Sequence, residues 1–372
     1  MRDQVCVIEA TGYFDRRAFL RLPWSIYKGD TNWVPPLLMQ VKKNLNTRKN
    51  PFYKRAKIKL FLAAKSGTPA GRVAAIVNNA HNEFHDEKAG FFGFFECIDD
   101  QPAADALLSA AKEWLAQQGM EILRGPNSPS TNHECALLVD GFERPPMVMM
   151  PYNPPYYAKL FENFGLRKAK DAHAYEMIVD RFDPKLYKLA DRIARRSTLT
   201  VRAVNVENFL GELDLIRGIY NRAWEKNWGF VPMNDEEFEH LARDMKQILE
   251  PSLILIGFVD GDPAAFSVSL LNINEALRNI NGRLFPFGFV KLVRGMKKIR
   301  TARNLLLGVV PEYRKLGLDI LMYVRTIDAA SGIGHKWGEL SWILEDNVDI
   351  RRVLEKIGAA VYKTYRFYEM PI

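Results

Sequence analysis

Residues 314–319, with the sequence RKLGLD, place two cations and a glycine where a strand is expected to end and a helix to begin. The apolar run at 305–310 predicts a buried strand, and Pro311 ends it because proline has no N–H for the ladder. The apolar spacing at 320–327 predicts a helix, so the cations and Gly317 lie at its first turn. A helix N-terminus exposes unpaired N–H groups and a positive dipole end, so the segment is suited to binding a phosphate.

A second group of polar residues follows the next predicted strand. Residues 336–344 form that strand, and the polar run Glu-Asp-Asn at 345–347 comes directly after it. Helical spacing at 348–357 ends at Gly358, and the β-rich run at 361–368 closes the chain. The order is therefore strand, phosphate loop, helix, strand, carboxylates, helix, strand.

These two segments resemble motifs of the GNAT acyltransferases. Residues 314–319 are similar to the family's Q/R-x-x-G-x-G/A loop, which grips the diphosphate of acetyl-coenzyme A, and only Asp319 departs, from a small residue. Residues 347–359, NVDIRRVLEKIGA, are similar to the later pattern N-x-x-x-x-x-L-Y-E-K-x-G-F. Leu354 stands where the family has the Tyr that often protonates the leaving thiolate, and Ala359 replaces the closing Phe.

The resemblance implies two copies of one fold. Residues 153–166, with LFENFGL, repeat the motif that VLEKIGA carries in the second half, and the preceding strand and helix patterns follow the same order. We therefore expect an α+β or α/β chain of two GNAT-like domains, 1–182 and 183–372, each with a mixed central β-sheet flanked by helices.

The two copies differ at the phosphate loop. In the first copy the corresponding segment, 96–103, contains Asp99 and Asp100 and has neither a cation nor a glycine. Acid at a helix N-terminus makes a good cap but a poor anion site. Coenzyme binding is therefore expected only in the second copy, with the first serving as scaffold or substrate wall.

The resemblance assigns roles residue by residue. Backbone amides of Gly308, Val309 and Val310 would hold the pantetheine arm, and an N–H of Val309 or Val310 would polarise the thioester carbonyl. The remaining expected cofactor contacts are Arg314, Lys315, Leu316, Gly317, Leu318, Asp319 and Asn347. For catalysis, Glu345 or Asp346 would accept the amine proton through water, and Tyr365 or water would protonate the thiolate.

The expected function is acyl-coenzyme A-dependent N-acyl transfer. Acetyl-coenzyme A or another acyl-coenzyme A would be the donor, and an amine of a small molecule or peptide the acceptor. Two alternatives remain: a transferase resembling the Fem-type aminoacyl ligases, which use aminoacyl-tRNA, and a non-catalytic acyl-coenzyme A-binding or interaction protein. The departures at Leu354 and Asp319 favour the last.

Composition and net charge limit the classes of binding partner. The chain is 48% hydrophobic and 26% charged, as globular proteins are, and its net charge of +8 fits coenzyme A, nucleic acid or an anionic membrane. The coenzyme loop favours a free coenzyme, so nucleic acid is not expected. The basic amphipathic segment 289–303 predicts a helix that packs on the sheet, covers the substrate cleft, contacts the 3′-phosphate of the coenzyme or contacts a membrane surface.

Other sequence signals are weak. The six histidines have no ligand spacing, so no metal is expected, and the three widely spaced cysteines suit a reducing cytoplasm. Neither a signal peptide nor an apolar run of about 20 residues is evident.

Overall fold

The structure, a computed structural model, describes residues 4–196, 198–224, 227–245, 249–314 and 316–372. The chain forms two compact units. Unit 1 consists of Met1–Asp171, Leu277–Leu292 and Lys363–Ile372. Unit 2 consists of Ala172–Ala276 and Val293–Tyr362.

Most strands lie where apolar and β-branched runs predicted them. Along the chain they are β1 Val5–Glu9, β2 Ala56–Lys65, β3 Thr68–Asn78, β4 Ala89–Cys97, β5 Ile122–Gly125, β6 Asn127–Ser128, β7 Glu134–Cys135, β8 Leu137–Asp140, β9 Arg167–Ile178, β10 Leu199–Ala203, β11 Leu249–Val259, β12 Asp262–Leu271, β13 Thr301–Val309, β14 Trp337–Leu344 and β15 Ala360–Pro371. The β2–β3 and β11–β12 hairpins turn through Gly67 and Gly261, at φ 80° and 89°, a conformation that glycine adopts without strain.

The helices follow the predicted 3.6-residue periodicity. They are α1 Tyr13–Arg21, α2 Pro23–Ile26, α3 Leu38–Asn44, α4 Asn79–His85, α5 Gln101–Gln117, α6 Tyr157–Phe164, α7 Pro184–Arg196, α8 Phe209–Trp224, α9 Asp235–Met245, α10 Asn274–Leu277, α11 Gly288–Met296, α12 Leu318–Gly332 and α13 Val348–Lys356. None of the helices in the described part of the chain combines the length and the apolar character needed to cross a bilayer.

Unit 1 contains a mixed sheet. The strands β1, β2, β3 and β4 are antiparallel neighbours, and β5 runs parallel to β4. Helix α5 makes the crossover between β4 and β5 that a parallel pair requires. The C-terminal end of β15 completes the sheet antiparallel to β5, with residues 368–371 paired to residues 122–125.

Unit 2 repeats this plan. The strands β10, β11, β12 and β13 are antiparallel neighbours, and β14 runs parallel to β13 after the crossover helix α12. Residues 172–178 of β9 complete the sheet antiparallel to β14. Each unit therefore has the mixed, helix-flanked sheet that the sequence predicts.

The sixth strand of each sheet comes from the other sequence copy. Residues 172–178, which follow the first copy's last helix, complete unit 2, and the last residues of the chain complete unit 1. The compact units are therefore not the two halves of the sequence. The division into 1–182 and 183–372 describes the sequence copies and stays a prediction.

Each unit has its own apolar core between its sheet and its crossover helix. Leu107 and Leu115 of α5 are fully buried in unit 1, as are Met322 and Val324 of α12 in unit 2. Each such side chain stabilises its unit by about 1.5–3 kcal/mol. The crossover helices are thereby fixed against the sheets, and their N-termini lie at the ends of β4 and β13.

Candidate functional site

The parallel strands β13 and β14 of unit 2 stay paired over only a few residues. Their register runs from Thr301 and Trp337 to Asn304 and Leu340, and β13 then continues to Val309. The pairing of β13 with β12 shifts register just beyond Asn304. Residues 305–309 thus have one edge on β12 and the other on the space where β14 has turned away.

The amide groups at the end of β13 have different partners. The Val310 N–H donates to the Ala264 carbonyl at 2.9 Å, so this amide is held by β12. Successive N–H groups of a strand point to opposite edges, so the Val309 N–H lies on the edge toward the gap. Of these two amides, only the Val309 N–H points toward the gap and is available to a bound group.

Gly308 is required for packing. A Cβ at this position would lie 2.1 Å from Cζ3 of Trp224, so the indole of α8 rests directly on the strand backbone. Any larger residue would displace Trp224. The expected cofactor role of Gly308 is therefore indirect, since it sets how closely α8 approaches β13.

The predicted phosphate loop leads into the start of α12. Gly317 has φ +81°, in the left-handed region, and is the N-cap of the helix, with its carbonyl accepting from the Leu321 N–H at 3.1 Å. Having no side chain, it leaves the first N–H groups of the helix uncapped. Leu318 is buried at 1% exposure and anchors the turn, while Leu316 is 48% exposed. This helix start can bind an anion through its backbone.

The structure describes only one of the two cations of the loop. Arg314 donates from Nε to the Val309 carbonyl at 3.1 Å and from Nη2 to the Ala223 carbonyl at 2.9 Å, so it ties the loop to β13 and α8. Lys315 lies outside the described residues. Asp319 lies in the first turn of α12. Burial, with a smaller contribution from Asp319, raises the pKa of Tyr323 one turn later.

A buried charged cluster lies where β13 and β14 part, and sequence reasoning missed it. Arg303 and Glu339 are opposite each other in the register, and each is 1% exposed. Arg303 Nε lies 2.8 Å from Ser341 Oγ and 3.5 Å from Glu339 Oε1. The hydroxyls of Ser341 and Tyr362 both donate to the Glu339 carboxylate. The cluster therefore combines a carboxylate with a phenol that can exchange a proton with it.

A signal for this cluster was present in the sequence. Arg303 and Glu339 are the single charged residues of strands that are mostly apolar, where an unpaired charge would be costly. Each therefore required a partner. The register that makes them partners could not be read from either strand alone.

The comparisons with known proteins identify the family. No protein-family model matches the chain. The chain is 38% identical to Protein YghO of Escherichia coli (strain K12), covering 96% of this chain and 93% of that protein. It is 33% identical to the bacterial ceramide synthase of Caulobacter vibrioides (strain NA1000 / CB15N), covering 95% and 94%. The fold is similar to that of a tandem GNAT protein from the clavulanic acid biosynthesis pathway, with a TM-score of 0.58, 13% identity and 99% and 98% coverage.

The chain belongs to the same family as Protein YghO and the bacterial ceramide synthase. Its fold is that of the tandem GNAT protein. The predicted two-copy GNAT architecture is confirmed.

Of the other residues predicted from the GNAT resemblance, some lie in unit 2 and one lies in unit 1. Leu354, in the position of the family's acid, is fully buried in the apolar core of unit 2. Asn347 is the N-cap of α13, and the Glu345 carbonyl accepts from Arg351 Nη1 at 2.9 Å. Tyr365 belongs to unit 1, where it is 1% exposed and paired in register with Leu138. Tyr365 is therefore not brought to the coenzyme loop within one unit.

The GNAT copy in unit 1 has a different loop. Asp100 caps α5 by accepting from the Ala103 N–H at 3.0 Å, and it also pairs with Lys65. The expectation of an acidic cap in place of an anion site agrees with this geometry. The gap beside β4 is filled by the chain, since a Cβ at Gly93 would lie 1.6 Å from the Asn127 carbonyl oxygen.

Proposed function

We propose that the protein transfers a fatty acyl group from acyl-coenzyme A to the primary amine of a long-chain amino alcohol. The product would be a ceramide-type amide. The observation that carries the acceptor class is the 33% identity to the bacterial ceramide synthase across 94% of that protein. A ceramide contains two long chains, so a long-chain acyl donor is favoured over acetyl-coenzyme A.

The donor is proposed to bind in unit 2. The uncapped start of α12 at Gly317 supports binding of the coenzyme diphosphate, because its N–H groups and dipole attract an anion. The edge of β13 at 305–309 would pair with the amides of the pantetheine arm. The Val309 N–H would hold the pantetheine arm. Because Val309 is six residues, about 20 Å, from Arg303 along β13, the thioester would lie nearer residue 305, beside the Glu339 cluster.

The acceptor chemistry is proposed to use the buried cluster. The amine nitrogen attacks the thioester carbon, the C–N bond forms and the C–S bond breaks. The amine proton passes to Glu339, and the leaving thiolate takes the proton of the Tyr362 hydroxyl. Proton transfer from Glu339 to Tyr362 then restores both groups, which are already hydrogen-bonded to each other. This assignment supplies the acid that Leu354 cannot provide.

An acceptor and donor panel tests the proposal. The purified chain is incubated in detergent micelles with sphinganine, glucosamine or a peptide amine, each with acyl-coenzyme A donors from acetyl to stearoyl. Free thiol and N-acyl product are measured together. We expect the long-chain amine with long-chain donors to give amide product, with little turnover of the polar amines.

Other outcomes separate the alternatives. Acylation of the polar amines but not of sphinganine would contradict the acceptor class while keeping the transferase. Saturable coenzyme binding with no product from any amine would favour a non-catalytic binding protein. Transfer from aminoacyl-tRNA in the same assay would favour the Fem-type reaction.

A further inference from the structure

An exposed aromatic segment precedes and enters α11. Phe285, Phe287 and Phe289 are 88%, 73% and 61% exposed, and Val290 and Val293 of the helix are 46% and 42% exposed. Isolated exposed apolar residues are common, but five within nine positions form a patch. A contiguous patch of this kind is typical of an interaction surface.

The orientation of α11 explains the exposure. A Cβ at Gly288 would lie 1.9 Å from the Arg283 carbonyl oxygen, and one at Gly295 would lie 2.7 Å from Ala276 Cβ. These two glycines are seven residues apart and share one face of the helix, so that face packs on the protein. Phe289 and Val293 lie about 100–140° around the helix from Gly288. Only part of the apolar face is covered, since Leu292 and Met296 are partly buried whereas Phe289, Val290 and Val293 are exposed.

The charged residues of this segment are all of one sign. Residues 276–311 contain no Asp or Glu, so the nearest acids along the chain are Glu275 and Glu312. Four exposed cations follow the aromatic residues: Lys291, Arg294, Lys297 and Lys298. A segment with exposed aromatic residues and cations but without acids attracts a surface that is both anionic and apolar beneath.

The exposed aromatic and basic surface ends before the end of the predicted segment 289–303. Ile299 is 4% exposed, and residues 301–303 already belong to β13. Arg303 is 1% exposed and paired with Glu339, so it cannot contact a membrane. The surface consists of residues 285–298, which we call the docking segment.

We propose that the docking segment binds the surface of an anionic phospholipid bilayer. Phe285, Phe287 and Phe289 would enter the boundary between headgroups and acyl chains, and the cations would contact lipid phosphates. A second copy of the chain docking through the same segment would bring the same cations together, which disfavours that occupant. The proposal rests on the docking segment alone, although a bilayer also holds long-chain amines.

Vesicle binding of the full chain tests the proposal directly. The protein is sedimented with vesicles of phosphatidylglycerol and phosphatidylcholine in equal parts, or of phosphatidylcholine alone, without acyl-coenzyme A or amine. We expect binding to the anionic vesicles that weakens as salt rises from about 0.1 M to about 1 M, where the Debye length falls roughly threefold. A failure of the proposed acceptor chemistry would leave this result unchanged.

Charge variants test the cations. Replacing the four with glutamine is expected to lower partitioning into anionic vesicles by roughly a hundredfold or more, since each adjacent cation contributes about fivefold. The matched control removes four exposed cations of α7, where Asp183 and Asp191 are interspersed. Its substitutions are Lys185→Gln, Lys188→Gln, Arg192→Gln and Arg195→Gln. The control is expected to bind nearly as the parent chain does.

Apolar variants test insertion. Phe285→Ser with Phe287→Ser is expected to weaken vesicle binding about tenfold or more. The control, Val206→Ser with Leu210→Ser, removes residues that are 57% and 69% exposed and is expected to change little. All four positions are exposed, and circular dichroism verifies folding.

Three results would overturn the proposal. One is the absence of vesicle binding by the parent chain. Another is binding that falls equally in the controls and in the docking-segment variants. The third is a change of sedimentation coefficient on Phe285→Ser with Phe287→Ser in the absence of lipid, which would make the segment a protein–protein interface.

Discussion

In each unit two parallel strands pair over only a few residues and then separate. The gap between the separated strands differs between the units. In unit 1, β4 and β5 pair only from Ala89 to Phe91, and residues 125–128 then fold against β4. The Phe94 N–H donates to Ser128 Oγ at 2.8 Å, and Phe92 is fully buried. In unit 2, residues 305–307 beside the corresponding gap are partly exposed. One gap is closed by the chain's own backbone, and the other keeps an accessible strand edge.

The N-termini of the two crossover helices also differ. Asp100 satisfies an N–H of α5 with its own carboxylate, whereas Gly317 leaves the start of α12 to an external anion. The residue type at the N-cap therefore decides whether the first N–H groups of a crossover helix are satisfied by the protein. The comparison shows that the two copies of the fold fill the same positions with different groups of the chain.

Both units also contain a buried Arg–Glu–Tyr cluster. In unit 1, Arg72 is opposite Glu96 in the register, and the Tyr157 hydroxyl donates to Glu96 Oε2 at 2.8 Å. In unit 2 the corresponding groups are Arg303, Glu339 and Tyr362. The first pair joins β3 to β4, away from the parallel pair, and the second lies where β13 and β14 part. We expect the first to stabilise the fold and the second to move protons.

Glu339→Gln should have the largest effect on the reaction. Loss of a proton acceptor lowers kcat by about 10²–10⁴-fold with little change in coenzyme affinity. The comparison variant, Glu96→Gln, should lower stability but not kcat. Steady-state kinetics and chemical unfolding of both proteins provide the measurements.

A structural role of Glu339 would give a different pattern. If Glu339→Gln and Glu96→Gln lose stability alike and kcat per folded molecule is unchanged, the catalytic assignment is wrong. Tyr362→Phe removes a hydroxyl only, so it should keep the fold and lower kcat.

Gly317→Glu should abolish tight coenzyme binding. A carboxylate at the diphosphate position and the loss of a charge-assisted contact together cost about 2–4 kcal/mol, roughly a hundredfold in Kd. Gly334→Glu controls for the positive φ, because Gly334 has φ +85° just beyond the opposite end of α12. A Cβ at Gly317 would also lie 2.7 Å from Ile193 Cδ1, so Gly317→Ala controls for that contact. Calorimetric titration should give one coenzyme per parent chain. Equal affinity of Gly317→Glu and Gly334→Glu would show that the loop is misassigned.

Glu87→Gln should affect stability alone, because Glu87 belongs to unit 1. A hydrogen bond from His81 chiefly lowers the pKa of Glu87 from 4.5 to about 2, and Arg124 contributes further. The folded pKa lies below the unfolded value, so this stabilisation is present above pH 4.5 and lost as pH falls toward 2. Burial also lowers the pKa of His81, which adds a loss of stability below pH 6.5.

The expected loss at pH 7 is about 2 kcal/mol of unfolding free energy. Urea unfolding of the parent chain and of Glu87→Gln at pH 7, 5 and 4 provides the measurement, with a shallower acid dependence expected for the variant. Coenzyme affinity should not change. A loss of affinity would break the assignment of unit 1 as scaffold.

Asp319→Gly should have the smallest effect. Removing an acid near the diphosphate site should leave coenzyme affinity unchanged or tighten it by about threefold, although the helix start loses a favourable dipole contact of about 0.3–1 kcal/mol. Asp100→Gly is its counterpart in unit 1, where uncapping α5 should lower stability without creating a coenzyme site. A large loss of affinity in Asp319→Gly would assign the carboxylate a structural role.

Much of the fold could be predicted from local patterns. Apolar runs, hairpin turns such as Asp260–Gly261 and the helix start after Gly317 are specified by neighbouring residues. The source of each sixth strand could not be predicted, since β9 and β15 have similar patterns and either could pair with β5 or β14. Strand exchange is decided by partners distant in sequence.

Some features of the candidate site could likewise be predicted from neighbouring residues, and others could not. The strand end and the helix start on either side of residues 311–317 were predictable because neighbouring residues specify them, whereas the role of this segment as a phosphate loop stays a prediction. The Glu339 cluster depends on the register between two strands separated by α12, and the filling of unit 1's gap depends on the path of residues 125–128. The outward face of α11 depends on where its glycines pack.

The exchanged strands also set an order of completion during synthesis. Unit 2 needs β9 to β14, all of which have been translated by residue 344. Unit 1 needs residues 368–371 to pair with β5, so its sheet lacks a strand until those residues have been translated. The part of the protein that is translated first is therefore the last that can finish folding. A deletion of residues 368–371 would therefore affect the sheet of unit 1 rather than that of unit 2.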